Sequence, residues 1–217
     1  MVLKPKIDQE LVKINEAVIQ MTEKVEEAIV ASVEAIKSKD PQLARKIVDD
    51  GDIIDEMDEA ISEACYRFMA TQSPMIGDLR YCISIMKMVT DLERIGDHCE
   101  DIAKYAIRLE KEQLYKELID LPRMAEMAAN MVVNSISAFL NRDLKKARKV
   151  WRADEEVDEL YRMIHEEQMD MVASRPEHAR QAMIFAFIAA HLERIADYAT
   201  NICEETVFSL EGDYLME

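Results

Sequence analysis

The chain has 217 residues, with 44 Asp and Glu against 27 Lys and Arg for a formal net charge of −17, and only four Gly and five Pro. That length suits one large domain or two small ones, and the charge deficit with no basic block excludes nucleic acid as a partner, since phosphate binding draws on clustered Lys and Arg. So little turn material beside 49% hydrophobic residues excludes sandwiches and doubly wound sheets and leaves an all-α chain.

The N-terminus, Met1-Val2-Leu3-Lys4-Pro5, lacks the basic-then-apolar pattern of a signal peptide, and charges interrupt every apolar stretch before membrane-spanning length. The chain therefore reads as cytoplasmic. Pro5, Pro41, Pro74, Pro122 and Pro176 fall between long periodic stretches, and Asp40-Pro41 and Ser73-Pro74 read as an N-cap followed by the first helical residue. The spacing predicts helices at about 7–38, 41–71, 74–110, 120–141, 143–172 and 175–209. Cys65, Cys82, Cys99 and Cys203 form no C-x-x-C pair and read as reduced core thiols. Most of the 15 Met are expected in the same core.

The sequence repeats itself. Ala44-Arg45-Lys46 recurs as Ala147-Arg148-Lys149, and at the same offset of 103 Ser32 aligns with Ser135, Asp40 with Asp143, and Asp55 with Asp158. Leu92-Glu93-Arg94-Ile95-Gly96-Asp97 recurs as Leu192-Glu193-Arg194-Ile195-Ala196-Asp197 at an offset of 100, which places a three-residue deletion before the last helix. This is a tandem duplication of a three-helix unit, divided at residues 1–110 and 111–217. In the third helix Cys82, Ile85, Val89, Leu92, Gly96, Cys99, Ala103 and Ala106 alternate steps of three and four, as a helix-packing seam requires. Ala182, Phe185, Ala189, Leu192, Ala196, Ala199, Cys203 and Thr206 repeat it. The expected fold is two antiparallel three-helix bundles.

Acidic residues dominate the candidate sites. Glu93, Asp97 and Asp101 are four residues apart and climb one face of helix 3; helix 6 offers Glu193, Asp197 and Asn201. Like charges at that spacing oppose each other unless a cation or an Arg neutralises them. In a hairpin of equal rise, residues at one level reflect about the turn. Asp55 and Glu93 reflect about Pro74, while Asp158 with Glu193 and Asp154 with Asp197 reflect about the Arg175-Pro176 step. Each hairpin should thus bring acids from two helices to one level, an all-oxygen set suited to Mg, Mn, Ca or iron rather than zinc. A solvated acidic face, with Arg94 and Arg194 pairing locally, accounts for the same spacing. His98, His165, His178 and His191 are scattered, fall at no matching level, and read as surface or capped histidines.

The paired Leu-Glu-Arg-Ile-Gly-Asp and Leu-Glu-Arg-Ile-Ala-Asp motifs, with Ala60-Ile61-Ser62-Glu63-Ala64-Cys65 and Asp78-Leu79-Arg80, resemble the PhoU family of phosphate-transport accessory regulators over nearly the whole chain. The resemblance implies a non-enzymatic negative regulator of the phosphate regulon. It would couple the nucleotide-binding subunit of the Pst phosphate transporter to a PhoR-type sensor histidine kinase, reaching the membrane only through these partners. It also implies paired (Glu/Asp)-x-x-x-Asp motifs that bind metal ions, as multinuclear iron or as Mn, Mg or Zn. These map onto Glu93/Asp97 and Glu193/Asp197, with Asp154/Asp158 from helix 5 and Asp55 from helix 2. Gly51 stands where Asp154 has its counterpart, so the first site lacks a carboxylate unless Asp50 or Asp52 substitutes.

Two rivals remain at this level. A metal-free acidic adaptor needs only the charged face. A carboxylate-bridged di-metal oxidase needs Glu-x-x-His pairs, but Ile95, Arg162, Arg175 and Ile188 precede the four histidines by three. A P-loop is excluded because no two Gly fall closer than 19 residues apart. Long helices carrying exposed Met and Tyr fit a homodimer.

Overall fold

The computed structural model describes residues 5–214, with side chains from Gln9 onward. Six helices run in chain order: α1 (Pro5–Lys37), α2 (Pro41–Thr71), α3 (Ile76–Leu109), α4 (Asp120–Leu140), α5 (Leu144–Ser174) and α6 (Ala179–Glu211), the last preceded by a 3₁₀ turn at Pro176–His178. Among the described residues there is no strand and no helix long and apolar enough to cross a membrane.

The duplication is visible turn by turn. Lys39 and Arg142 both take positive φ, 53° and 55°, closing α1 and α4 with the same left-handed residue. The next N–H then reaches back to Ala35 O at 3.0 Å and to Ala138 O at 2.8 Å. Asp40 and Asp143 follow as N-caps. Asp40 accepts from the Gln42 and Leu43 N–H groups at 2.9 and 3.1 Å, and Asp143 from Lys146 N–H at 3.0 Å. Ser32 and Ser135, both buried, each donate to a carbonyl three residues back at 2.8 Å. The second expected cap differs: Ser73 has φ 47° and α3 begins after Met75, whose N–H donates to Asp78 at 3.0 Å. Pro74 therefore sits in the turn, because the left-handed Ser73 breaks the helical run before it.

Each outer helix packs only within its own repeat, α2 on α1 and α3, α5 on α4 and α6, whereas α1, α3, α6 and α4 form a ring in which each touches the next. The bundles share one core. Both seams are buried throughout, and every position of 81–100 has the same burial state as the position 100 later. The large residues Phe139, Phe185, Met21, Ile85 and Leu92 are fully enclosed. All four cysteines are free and buried. The methionines are more divided than expected. Met21, Met88, Met124 and Met131 are buried, whereas Met163, Met169 and Met183, on outward helix faces, and Met75, in the turn before α3, are exposed.

The connection between repeats is pinned rather than loose. Tyr115 N–H donates to Gln181 Oε1 at 3.2 Å, and Gln181 Nε2 donates to Gln113 O at 2.9 Å and to Glu112 at 3.1 Å. A buried side chain at the start of α6 thereby satisfies backbone that would otherwise lie unpaired.

Candidate functional site: two carboxylate clusters and a histidine pair

The second hairpin assembles four of the expected acids. Asp154 and Asp158 on α5 face Glu193 and Asp197 on α6 closely enough to act on one another's ionisation. Burial and then the charges of Asp158 and Asp197 push the Asp154 carboxyl up to about 6. Glu193 is raised by burial, Asp197, Asp158 and Asp154, and Asp197 by burial and Asp158, with Arg194 opposing both. Carboxylates held together against repulsion in partial desolvation are the electrostatic condition that a hard cation relieves.

The first hairpin is built alike. Burial raises the Glu93 carboxyl, followed by Asp97, Asp55 and Asp58. Asp58 was not singled out in the sequence, because its counterpart 103 residues later is Tyr161. Burial raises it too, while Ser62 Oγ, 3.2 Å away, donates to it and favours its charge. The missing acid at Gly51 is replaced from across the hairpin. A Cβ built on Gly51 would lie 1.8 Å from Glu100 Oε1: the Glu100 carboxylate fills the space that a side chain at position 51 would take. Neither Asp50 nor Asp52 fills this gap. Asp50 pairs with Lys46 at 3.6 Å, and Asp52 is exposed. The second repeat reverses the choice, carrying Asp154 at the position of Gly51 and Thr200 at that of Glu100. Gly96 allows the helices to come this close, since its missing Cβ would stand 3.1 Å from Ile54 Cδ1.

Asp101 leaves this ladder. Each step of four residues turns a helix about 40° past a full circle, so two steps from Glu93 carry Asp101 about 80° round. It lies instead at the α3/α6 seam with His98 and His191, whose Nδ1 atoms are 3.0 Å apart. One ligand atom from each of the three residues falls within 4.8 Å of the others, the one such set among the described residues. The expectation that the histidines are scattered is therefore corrected for this pair. Burial holds both imidazoles below their ordinary pKa, His98 at about 4, with the Arg194 charge adding to the effect on each.

The PhoU domain family matches the chain twice, over residues 18–106 and 121–206. The chain belongs to the PhoU family. Two PhoU homologues named as phosphate-specific transport system accessory proteins align nearly end to end. That of Aquifex aeolicus is 38% identical over 208 residues, covering 96% of this chain and 94% of its own, and that of Clostridium acetobutylicum is 34% identical over 206 residues, 94% of each. The crystal structure of the phosphate transport system regulatory protein PhoU from Streptococcus pneumoniae superposes with a TM-score of 0.89 at 32% identity, over 96% of this chain and 99% of that one. The all-α duplicated fold and the family resemblance read from the motifs are thus both established, and the twin carboxylate hairpins lie within the two PhoU matches.

Proposed function

We propose that this PhoU chain is a cytoplasmic accessory regulator of phosphate-specific transport. It would couple the nucleotide-binding subunit of a Pst-type transporter to a PhoR-type sensor kinase, and repress the phosphate regulon when phosphate is plentiful. The observation that carries the reading is the near full-length likeness to proteins named for that system. No catalytic step belongs to it. Asp55, Glu93 and Asp97 with Glu100 on one hairpin, and Asp154, Asp158, Glu193 and Asp197 on the other, would hold metal ions, iron in multinuclear form or Mn, Mg or Zn. An all-carboxylate set with mutually raised protonation fits hard cations, which would stiffen the acidic faces into docking surfaces for basic partners. Exposed Met163 and Met169 on α5 are apolar surface that a second copy of the chain would cover.

Charge reversal at Glu193→Lys/Asp197→Lys, scored with a phosphate-regulon reporter in a strain lacking its own homologue, tests the acidic face. Constitutive expression is expected. Full repression by a variant that folds and accumulates normally would remove that face from the mechanism.

A further inference from the structure

His98 on α3 and His191 on α6 belong to different repeats and are 93 residues apart in sequence, yet their Nδ1 atoms lie 3.0 Å from each other. The ring centroids are 5.1 Å apart with planes inclined by 56°, so this is an edge approach of nitrogen to nitrogen rather than a stack. Asp101 follows His98 by three residues and brings a carboxylate oxygen within 4.8 Å of one ring nitrogen of each histidine. Metal–nitrogen bonds of about 2.0–2.1 Å put cis ligands at 90° roughly 2.9 Å apart and tetrahedral ligands roughly 3.4 Å apart. The observed separation falls between these, nearer the cis arrangement, and two histidines with one carboxylate are a known facial ligand set for divalent transition metals.

We propose that His98, Asp101 and His191 form a mononuclear site for a divalent transition metal across the α3/α6 seam, clamping the two repeats to each other. In the metal-free protein one Nδ1–H donates to the other Nδ1; when a metal binds, that histidine changes tautomer, its proton passing through solvent from Nδ1 to its own Nε2, and both neutral rings offer an Nδ1 lone pair to the metal. The remaining coordination positions open outward beside Asp101, whose side chain is 49% exposed, and are completed by water. Tyr198 flanks His98 and Tyr105 flanks His191 as tilted rings, with centroids 5.8 and 6.1 Å away. Lys104 Nζ, 3.3 Å from Asp101 and 3.1 Å from Glu100, retains Glu100 when Asp101 turns to the metal. Arg194 repels an incoming cation, and the Asp101 carboxylate offsets it. The site exists once: the counterparts 100 residues away are Tyr198, Asn201 and Asp91, with one carboxylate and no imidazole. Its nitrogen donors separate it from the all-oxygen hairpins, because imidazole selects later transition metals over Mg.

Cobalt(II) titration of the full chain after EDTA treatment, followed by visible absorption and calorimetry in millimolar Mg, tests the assignment. One equivalent of Co(II) with nitrogen-ligand absorption bands is expected, unaffected in Glu193→Gln/Asp197→Asn. In His98→Gln and in His191→Gln the affinity is expected to fall at least roughly tenfold, the loss that removing even an outer-shell partner causes. Retention of that binding by both histidine variants, or its abolition by Mg, overturns the proposal. Should either variant fail to fold, histidine-resolved NMR of the unaltered chain decides: Nδ1 resonances of His98 and His191 shift with one equivalent of Zn(II), and unmoved resonances refute the site. Because the carboxylate variant is scored separately, failure here leaves the reading of the acidic hairpins untouched.

Discussion

At the scale of single residues, the carboxylates determine how the metal-free protein answers to pH. In the unfolded chain Asp154 loses its proton near the ordinary value of 3.8, while in the folded protein it keeps it until about 6. Between those values the folded state binds more protons, so stability falls as pH rises through the window and stays lower above it. Asp154→Asn removes that decline. In EDTA the variant should exceed the parent by about 1 kcal/mol at pH 8, after allowing for the group's partial exposure, and by nothing at pH 4. Urea unfolding at the two pH values checks this, and an equal gain at both would mean that ionisation is not the cause. The histidine pair has the opposite sign. His98 charges readily only when unfolded, so its contribution is present above pH 6.5 and is lost as pH falls toward 4.

At the scale of helices, the α2/α3 and α5/α6 hairpins solve one packing problem in two ways. Gly51 receives Glu100 from α3, whereas the positions that correspond to them in the second repeat carry Asp154 and Thr200. Gly51→Asp alone forces a second carboxylate into the space Glu100 occupies and should destabilise the fold. The double change Gly51→Asp/Glu100→Thr transplants the second hairpin's arrangement and should recover most of the loss. A coupling energy of ~1 kcal/mol or more is expected from the cycle; additive losses would show that the two positions do not share the space. Much of this level is legible in the sequence. The three-four spacing of Cys82 to Ala106 and of Ala182 to Thr206 marked the seams, all of whose residues are buried, because a helix buries a stripe and the stripe is a local pattern. The Asp40 and Asp143 caps were equally legible. Ser73 was not, since its left-handed backbone follows from how α2 and α3 must turn over their shared core.

At the scale of the molecule, the ring of α1, α3, α6 and α4 makes the two repeats one cooperative body. Ser84 Oγ donates to Glu205 Oε2 at 2.9 Å, Lys87 Nζ lies 2.9 Å from Glu205 Oε1, and Glu205 is only 6% exposed. Lys87 is half exposed but Glu205 is not, so a buried carboxylate whose two oxygens are held from across the seam is costly to leave unpaired. Trp151, the single tryptophan, sits on α5 and reports on the second repeat alone. Ile85→Ala, in the first repeat, should lower stability by about 3 kcal/mol and the melting midpoint by roughly 6–12 °C. Trp151 fluorescence and far-UV circular dichroism should move together. A tryptophan transition that stays in place would show that the repeats unfold independently.

What the amino-acid sequence determined by itself is what short-range physics controls: six helices, their punctuation by capping Asp and Pro, the duplication, the buried seams, and the acidic pairs that reflect about each hairpin turn. Tertiary structure alone decided which helices meet between repeats. Antiparallel contact of α3 with α6 sets Ser84 against Glu205 and His98 against His191 about one common midpoint. That register arises from core side chains drawn from both repeats, so no local spacing announces it. Assuming a two-fold pairing of the duplicated helices would have brought the histidines to one level. The turn of Asp101 away from the ladder and the entry of Glu100 beside Gly51 depend likewise on where neighbouring helices press, because a side chain's partners are fixed by packing in three dimensions and its periodicity only by its own helix.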